Sequence, residues 1–415
     1  MKKLILNFVL ILFSTLILSG CNDVNTIGNA ANAVNTSNNT ETESIQKQKA
    51  SASTVDNPQN SKLPTNQVNQ INFAVETDDV WAPTFQLCWN EFIKLVETPK
   101  IQYAEENPIL ADELNKQKFI KEDLNEKDYY ISVGKATVNH KKQIKKAIWN
   151  KFQEKSDILD KFKFENVPDK ETSKFFIYSM LIKKFKFIAP FDVQNPQYFN
   201  NDKSQEYKFF GIDYNSKNEN RCEIYSKLDY LFYASDNDFA VKIYDKTGQE
   251  EVILYLTESN ASFDDLYNEV LDKCKHKNEY TEKRINEIKS KNEKYADADV
   301  SIKNTLSIPF INIDKTLDFD KELANKVIKG KNFATNPEDI YIIEKTLQTI
   351  KFKMDNEGVK LKSEAGIMFR DGAKFSLNLY NKYIFNRPFV IFLKEADKEK
   401  PYFAARIKDG KYLVK

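Results

Sequence analysis

LQTIKFKMDNEGVKLKSEAGIMFRDGAKFSLNLYNKYIFNRPFVIFLKEADKEKPYFAARI, residues 347–407, is the stretch whose reading decides the fold. Its first part alternates apolar and polar side chains with period two, the pattern of a strand with one buried face. The alternation runs on through Val359, Leu361, Ser363, Ala365, Ile367 and Phe369, with Lys360, Lys362, Glu364 and Arg370 on the opposite face. A polar, Gly-containing segment follows, then a second apolar run, YIFNRPFVIFL, from Tyr383 to Leu393. A short turn and a last strand over residues 402–407 are expected to close the stretch.

The second run resembles the C-terminal signature of the serpins, whose core is an apolar residue, Asn or Asp, a basic residue, Pro and Phe. Here these are Phe385, Asn386, Arg387, Pro388 and Phe389. Glu357-Gly358 stands where serpins carry the Glu-Gly of their loop hinge, and FAARI, residues 403–407, looks like the final strand of that fold. A second likeness is FFIYSMLIKKFKFIAPFD, residues 175–192, which resembles the long central serpin strand ending in Pro-Phe-Asp. There Phe187 replaces a usual Trp, Ser179 a usual Asn and Phe185 a usual Gly. A third is the strand-Pro-helix unit at residues 79–96, where Ala82-Pro83 replaces Ser-Pro and Phe85-Gln86 replaces a buried Ser. The long first helix of serpins has no counterpart.

The resemblance implies an α+β protein with large mixed or antiparallel sheets and helices packed around them. The order of helices first, then strands interrupted by helices, then two closing strands suits that class. It also implies a mechanism without catalytic residues: a bait loop, here residues 358–382, is cleaved and added to a sheet as a new strand. The hinge would be Glu357, Gly358, Val359 and Leu361, and the scissile region Arg370, Gly372, Ala373 and Lys374. Inhibitory serpins carry small residues after the hinge. Leu361-Lys362-Ser363-Glu364 permits final insertion here but should slow it. The alternative is a non-inhibitory binding or adhesion module whose hinge segment is a fixed strand of the sheet.

Outward from this stretch, the chain has 415 residues, 41% hydrophobic and 13% aromatic, enough for a large packed core. Residues 1–21 read as a processing segment. Lys2 and Lys3 precede an apolar run over residues 4–18, and Leu18-Ser19-Gly20-Cys21 resembles the bacterial lipoprotein box. Cys21 would then be alkylated by diacylglycerol, and two acyl chains suffice for stable anchoring. Residues 22–70, rich in Asn, Thr, Ser, Gln and Ala, cannot bury enough surface to order themselves. A flexible tether of about fifty such residues reaches, on average, roughly 35–42 Å. Residues 71–415 form the serpin-like domain. The expected setting is the extracytoplasmic face of a bacterial membrane, as a monomer, with an extracellular protease or another surface protein as partner.

Within the domain, helices are expected over residues 84–96 (Thr84 as N-cap), 142–162, 263–274 (Ser262 as N-cap), 282–294 and 320–328. Strands are expected at residues 79–81, 130–133, 175–192, 207–212, 231–234, 239–244, 252–256 and 305–313. A hairpin turn should lie at residues 246–249, and Pro309 points to an edge strand.

Lys plus Arg (62) and Asp plus Glu (61) nearly cancel, and no basic run is interleaved with aromatics, so nucleic acid is not the partner. There is no G-x-S-x-G elbow, P-loop or dinucleotide fingerprint. Cys88, Cys222 and Cys274 are odd in number, and neither they nor His140 and His276 have metal-ligand spacing, so no metal or cofactor is expected. A hydrolase built on Cys88 with His140 or His276 is the remaining enzymatic reading, without a local signature, and is not favoured.

Overall fold

A computed structural model describes residues 79–291, 298–357 and 376–415. In chain order the strands are β1 (Val80–Trp81), β2 (Tyr129–Lys135), β3 (Phe175–Leu181), β4 (Asp192–Phe199), β5 (Asp202–Ile212), β6 (Leu228–Ser235), β7 (Asp238–Tyr244) and β8 (Glu250–Leu256). They continue with β9 (Asp299–Pro309), β10 (Ile311–Leu317), β11 (Val327–Lys329), β12 (Ile340–Ile342), β13 (Gln348–Met354), β14 (Ser376–Ile384), β15 (Phe389–Glu395) and β16 (Phe403–Ile407). The helices are α1 (Thr84–Val96), α2 (Ile109–Asn115), α3 (Val138–Phe152), α4 (Arg221–Ser226), α5 (Phe263–Lys275), α6 (Lys277–Ser290) and α7 (Asp320–Leu323). The class is α+β, as expected.

The largest sheet has six antiparallel strands in the order β1-β16-β15-β8-β7-β6. Its central strand, β15, is buried along its whole length. Phe389, Ile391 and Leu393 face the main core, while Val390 and Phe392 face a second cluster that Leu266 and Val270 of α5 cover. Burial on both faces explains why this segment reads as a continuous apolar run. A second sheet runs β14-β9-β5-β4, with β14 parallel to β9 and the other pairs antiparallel. The ribbons β2-β3, β10-β13 and β11-β12 complete the set. The main core joins the inner faces of the two large sheets to Ile350 and Met354 of β13. Gly211 of β5 lies so close to the Leu306 carbonyl of β9 that a Cβ would collide with it.

Several expectations are corrected. Pro83, without a side-chain bond, caps α1, and Thr84 lies inside the helix. The helix expected over residues 142–162 ends at Phe152, where Gln153 turns left-handed (φ 56°), although Leu159 still packs with Ile144 and Ile148. β3 stops at Leu181 instead of running to residue 192. β9 lies between β14 and β5, so it is not an edge; Pro309 is tolerated because it is the last residue of the strand. The helix expected over residues 320–328 is the single turn α7, after which Asn325 (φ 58°) turns the chain into β11. Ser262 does cap α5, accepting a bond from the Asp265 amide at 3.1 Å, and Gly248 (φ 74°) does turn the β7-β8 hairpin.

Candidate functional site: a gap between two strands

β3 and β13 do not pair with each other. Among the described residues β3 pairs only with β2, and β13 only with β10. Yet segments near the two strands meet at two places. Ahead of them, Lys174 Nζ lies 3.0 Å from Glu344. Beyond them, the Phe191 amide donates to the Asn356 carbonyl (3.1 Å), and Asn356 Nδ2 donates to the Phe191 carbonyl (3.2 Å). Segments on either side of the two strands are therefore tied together, Phe191 standing ten residues after the end of β3 and Asn356 two after the end of β13, while each strand keeps an edge unpaired among the described residues. Such an edge is a template for an added strand.

Each wall is held from behind. On β3, Phe176 and Tyr178 are buried under α3, against Ile144 and Ile148. The Ser179 hydroxyl, in mid-strand, is buried and has no hydrogen-bond partner among the described residues. On β13, Gln348 Nε2 donates to the Ala82 carbonyl (3.0 Å) and Thr84 Oγ1 (2.9 Å), fixing the start of the strand to α1. Phe352 packs against Phe403 with ring centroids 4.8 Å apart. Glu357, the last described residue before residue 358, is exposed, and its amide donates to Asp355 Oδ1 at 2.9 Å. Burial works to raise the Asp355 carboxyl, but hydrogen bonds from Lys353 and the Glu357 amide outweigh it and hold the group below its usual range.

Where β3 ends, the Ile182 amide donates to the Asp128 carbonyl and Lys183 turns into a nearly buried cluster. Its ammonium lies 2.8 Å from Asp128, 2.7 Å from Glu250 and 2.5 Å from Glu395. The Tyr402 hydroxyl donates to Glu250 (2.8 Å), and the Asn125 amide donates to Glu395 (2.9 Å). These three carboxylates gather closely enough to hold a metal ion. Lys183 already supplies the positive charge there, so the cluster fastens the end of β3 to the six-stranded sheet. Burial opposes the charged form of Lys183, but its three hydrogen bonds to carboxylates raise its pKa. Burial, with the nearby charge of Glu395, raises that of Glu250 against the pull of Lys183 and Tyr402.

The signature residues lie at the junction of the two large sheets. Phe385 is fully buried, edge-on to Phe239 (5.2 Å) and Phe389 (5.3 Å), and its amide donates to the Ser307 carbonyl. The Asn386 carbonyl accepts from the Asn200 amide, and Arg387 Nη2 donates to the Asp236 carbonyl. Phe389 opens β15, directly after Pro388. The expected loop 358–382 is shorter than read: residues 376–382 belong to β14, from Ser376 opposite Asp299 to Lys382 opposite Thr305. Cys21, Gly358, Val359, Leu361, Arg370, Gly372, Ala373 and Lys374 lie outside the described residues, as do residues 1–70. The unpaired edges of β3 and β13 and the Lys183 cluster were missed in the sequence; Lys183, Lys184 and Lys186, which interrupt the long apolar run at residues 175–191, are the signal that could have pointed to the cluster.

The hydrolase reading finds no support in the geometry. Burial, reinforced by the charge of Glu91, pushes the Cys88 thiol up to about 12, so it is protonated near neutrality. His140 is engaged with Ser132 Oγ (2.8 Å) and the Lys135 carbonyl (3.0 Å), and His276 with Glu279 (2.9 Å).

No family model matches the chain, and no curated protein matches it. Similar solved structures are Serpin48, a highly specific serpin in the insect Tenebrio molitor (TM-score 0.38, 12% identity, covering 79% of this chain and 90% of that one), a tumour suppressing serpin (TM-score 0.33, 12% identity, 65% of each chain) and maspin (TM-score 0.34, 12% identity, 66% of each chain).

Proposed function

We propose that this chain is a serpin-like surface lipoprotein that meets proteases as an inhibitor or decoy, with residues 358–375 as the bait. The observation that carries this reading is that β3 and β13 each keep an edge unpaired among the described residues while the Lys174–Glu344 and Phe191–Asn356 contacts tie nearby segments together, and we read the two strands as the walls of a gap. Residues 358–375 connect β13, one wall of that gap, to β14. A protease cut within them would free a segment already joined to β13. Its alternating residues from Val359 to Phe369 suit a strand with one buried face. Pairing along both edges would then stabilise the cleaved form.

Leu361 favours a second reading, the non-inhibitory binding module. A large side chain just after the hinge, followed by Lys362 and Glu364, slows insertion of a strand beside α3. Limited trypsin digestion of the full chain separates the readings. A single cut at Arg370 or Lys374 followed by a large rise in Tm supports an insertable loop, whereas a cut that leaves Tm unchanged overturns it. An SDS-stable adduct with a serine protease distinguishes inhibitor from decoy.

A further inference from the structure

We propose that the outer face of α3 docks on an anionic phospholipid surface. Helix α3 (VNHKKQIKKAIWNKF) carries five lysines and no Asp or Glu, in a chain whose charges otherwise balance. Ile144 and Ile148 face inward onto β3. At helical spacing Lys142, Lys145, Lys146 and Trp149 share the opposite face. All four are exposed, and Trp149 keeps 48% of its surface in water. Lys145 shares Asp160 with Lys141, at 2.8 and 2.9 Å. Lys142 and Lys146, one turn apart, have no ion pair among the described residues, although like charges at this spacing repel.

An exposed indole within a cationic stripe matches a phospholipid interface in both of its parts. The indole lies at headgroup depth, and the flexible lysines reach the phosphates around it. The apolar face of α3 is committed to the protein core, so the contact is peripheral and does not insert the helix. Were Cys21 lipidated, a flexible stretch of about fifty residues would span roughly 35–42 Å on average between the bilayer and the domain. The docking itself rests on α3 and not on that anchor.

Trp149 is its own reporter, since Trp89 is buried and Trp81 half-buried. Full-length protein is mixed with vesicles of phosphatidylcholine alone or with phosphatidylglycerol, each containing brominated lipid. Expected is quenching of Trp149 on the anionic vesicles only. It should be lost in W149F and reversed between about 0.1 M and about 1 M salt, where the screening length falls from about 10 Å to about 3 Å. The exposed-site double variant K142Q/K146Q should lose roughly 30-fold in partition, about fivefold per lysine, and K142R/K146R should retain it. Equal quenching on neutral vesicles, no quenching on anionic ones, or a lysine-dependent emission change with dextran sulfate alone would each overturn the proposal.

Discussion

Phe191 and Asn356 hold each other in both directions: the Phe191 amide donates to the Asn356 carbonyl, and the Asn356 side chain donates back to the Phe191 carbonyl. Asn356 stands two residues beyond the end of β13 and Phe191 ten beyond the end of β3, and in the proposed function they close one end of the gap. Asn356→Ala removes one of the two bonds and should cost about 0.5–1.5 kcal/mol in urea unfolding. In the proposed function it should also speed the rise in Tm after cleavage, because the end nearest the hinge is loosened. An unchanged conversion rate would mean that insertion does not begin there.

Ile148 of α3 is 1% exposed and packs in the cluster that holds Phe176 and Tyr178 of β3. Ile148→Val should cost about 0.5–1.5 kcal/mol. If a strand inserts beside β3, the looser α3 should let the cleaved protein reach its high-Tm form faster. Leu361→Ala should act in the same direction by easing passage of the hinge. Conversion kinetics after trypsin measure both.

Lys183→Met leaves Asp128, Glu250 and Glu395 together without a cation and should destabilise the protein by about 3–5 kcal/mol. The sign with pH follows from the raised Glu250. A carboxyl whose pKa is higher folded than unfolded contributes stability below its unfolded value, about 4.3, and loses it as pH rises through the folded value. The raised Lys183 contributes its stability below about 10.4 and loses it only in strong alkali. The deficit of the variant should therefore shrink as pH falls from 7 toward 4.5. Denaturant midpoints across that range check this, and a deficit that grows on acidification contradicts it.

Cys88, with its thiol pushed up to about 12, should resist iodoacetamide at pH 7.5 in the folded chain and react once the chain is unfolded in guanidinium. Peptide mapping of the alkylated protein gives the answer, and rapid labelling of native Cys88 would reopen the nucleophile reading.

Most of the fold near the C-terminus was legible in the residues. β13 was visible from its alternation, and β15 from an unbroken apolar run, because each strand's faces have uniform surroundings along their length. β3 was read too long because the apolar pattern persists through Phe185 and Phe187, while the strand in fact stops at Leu181. Just past that point the nearly buried Lys183 ammonium is drawn to three carboxylates, of which Glu250 and Glu395 lie 67 and 212 residues away in sequence. No local window contains that force. Pro309 misled for a similar reason: its place in β9 depends on where pairing stops.

The sequence by itself determined the strands that carry the core, since these follow from side-chain polarity at short range, while the α+β class and the Phe385–Phe389 signature were read from the order of elements and from the resemblance. Only the tertiary structure decided that β3 and β13 each keep an edge unpaired among the described residues, that residues 376–382 are strand and not loop, and that Lys183 closes a buried cluster. Each of these depends on which backbone and charged groups meet across long stretches of chain, and short-range periodicity carries no record of that.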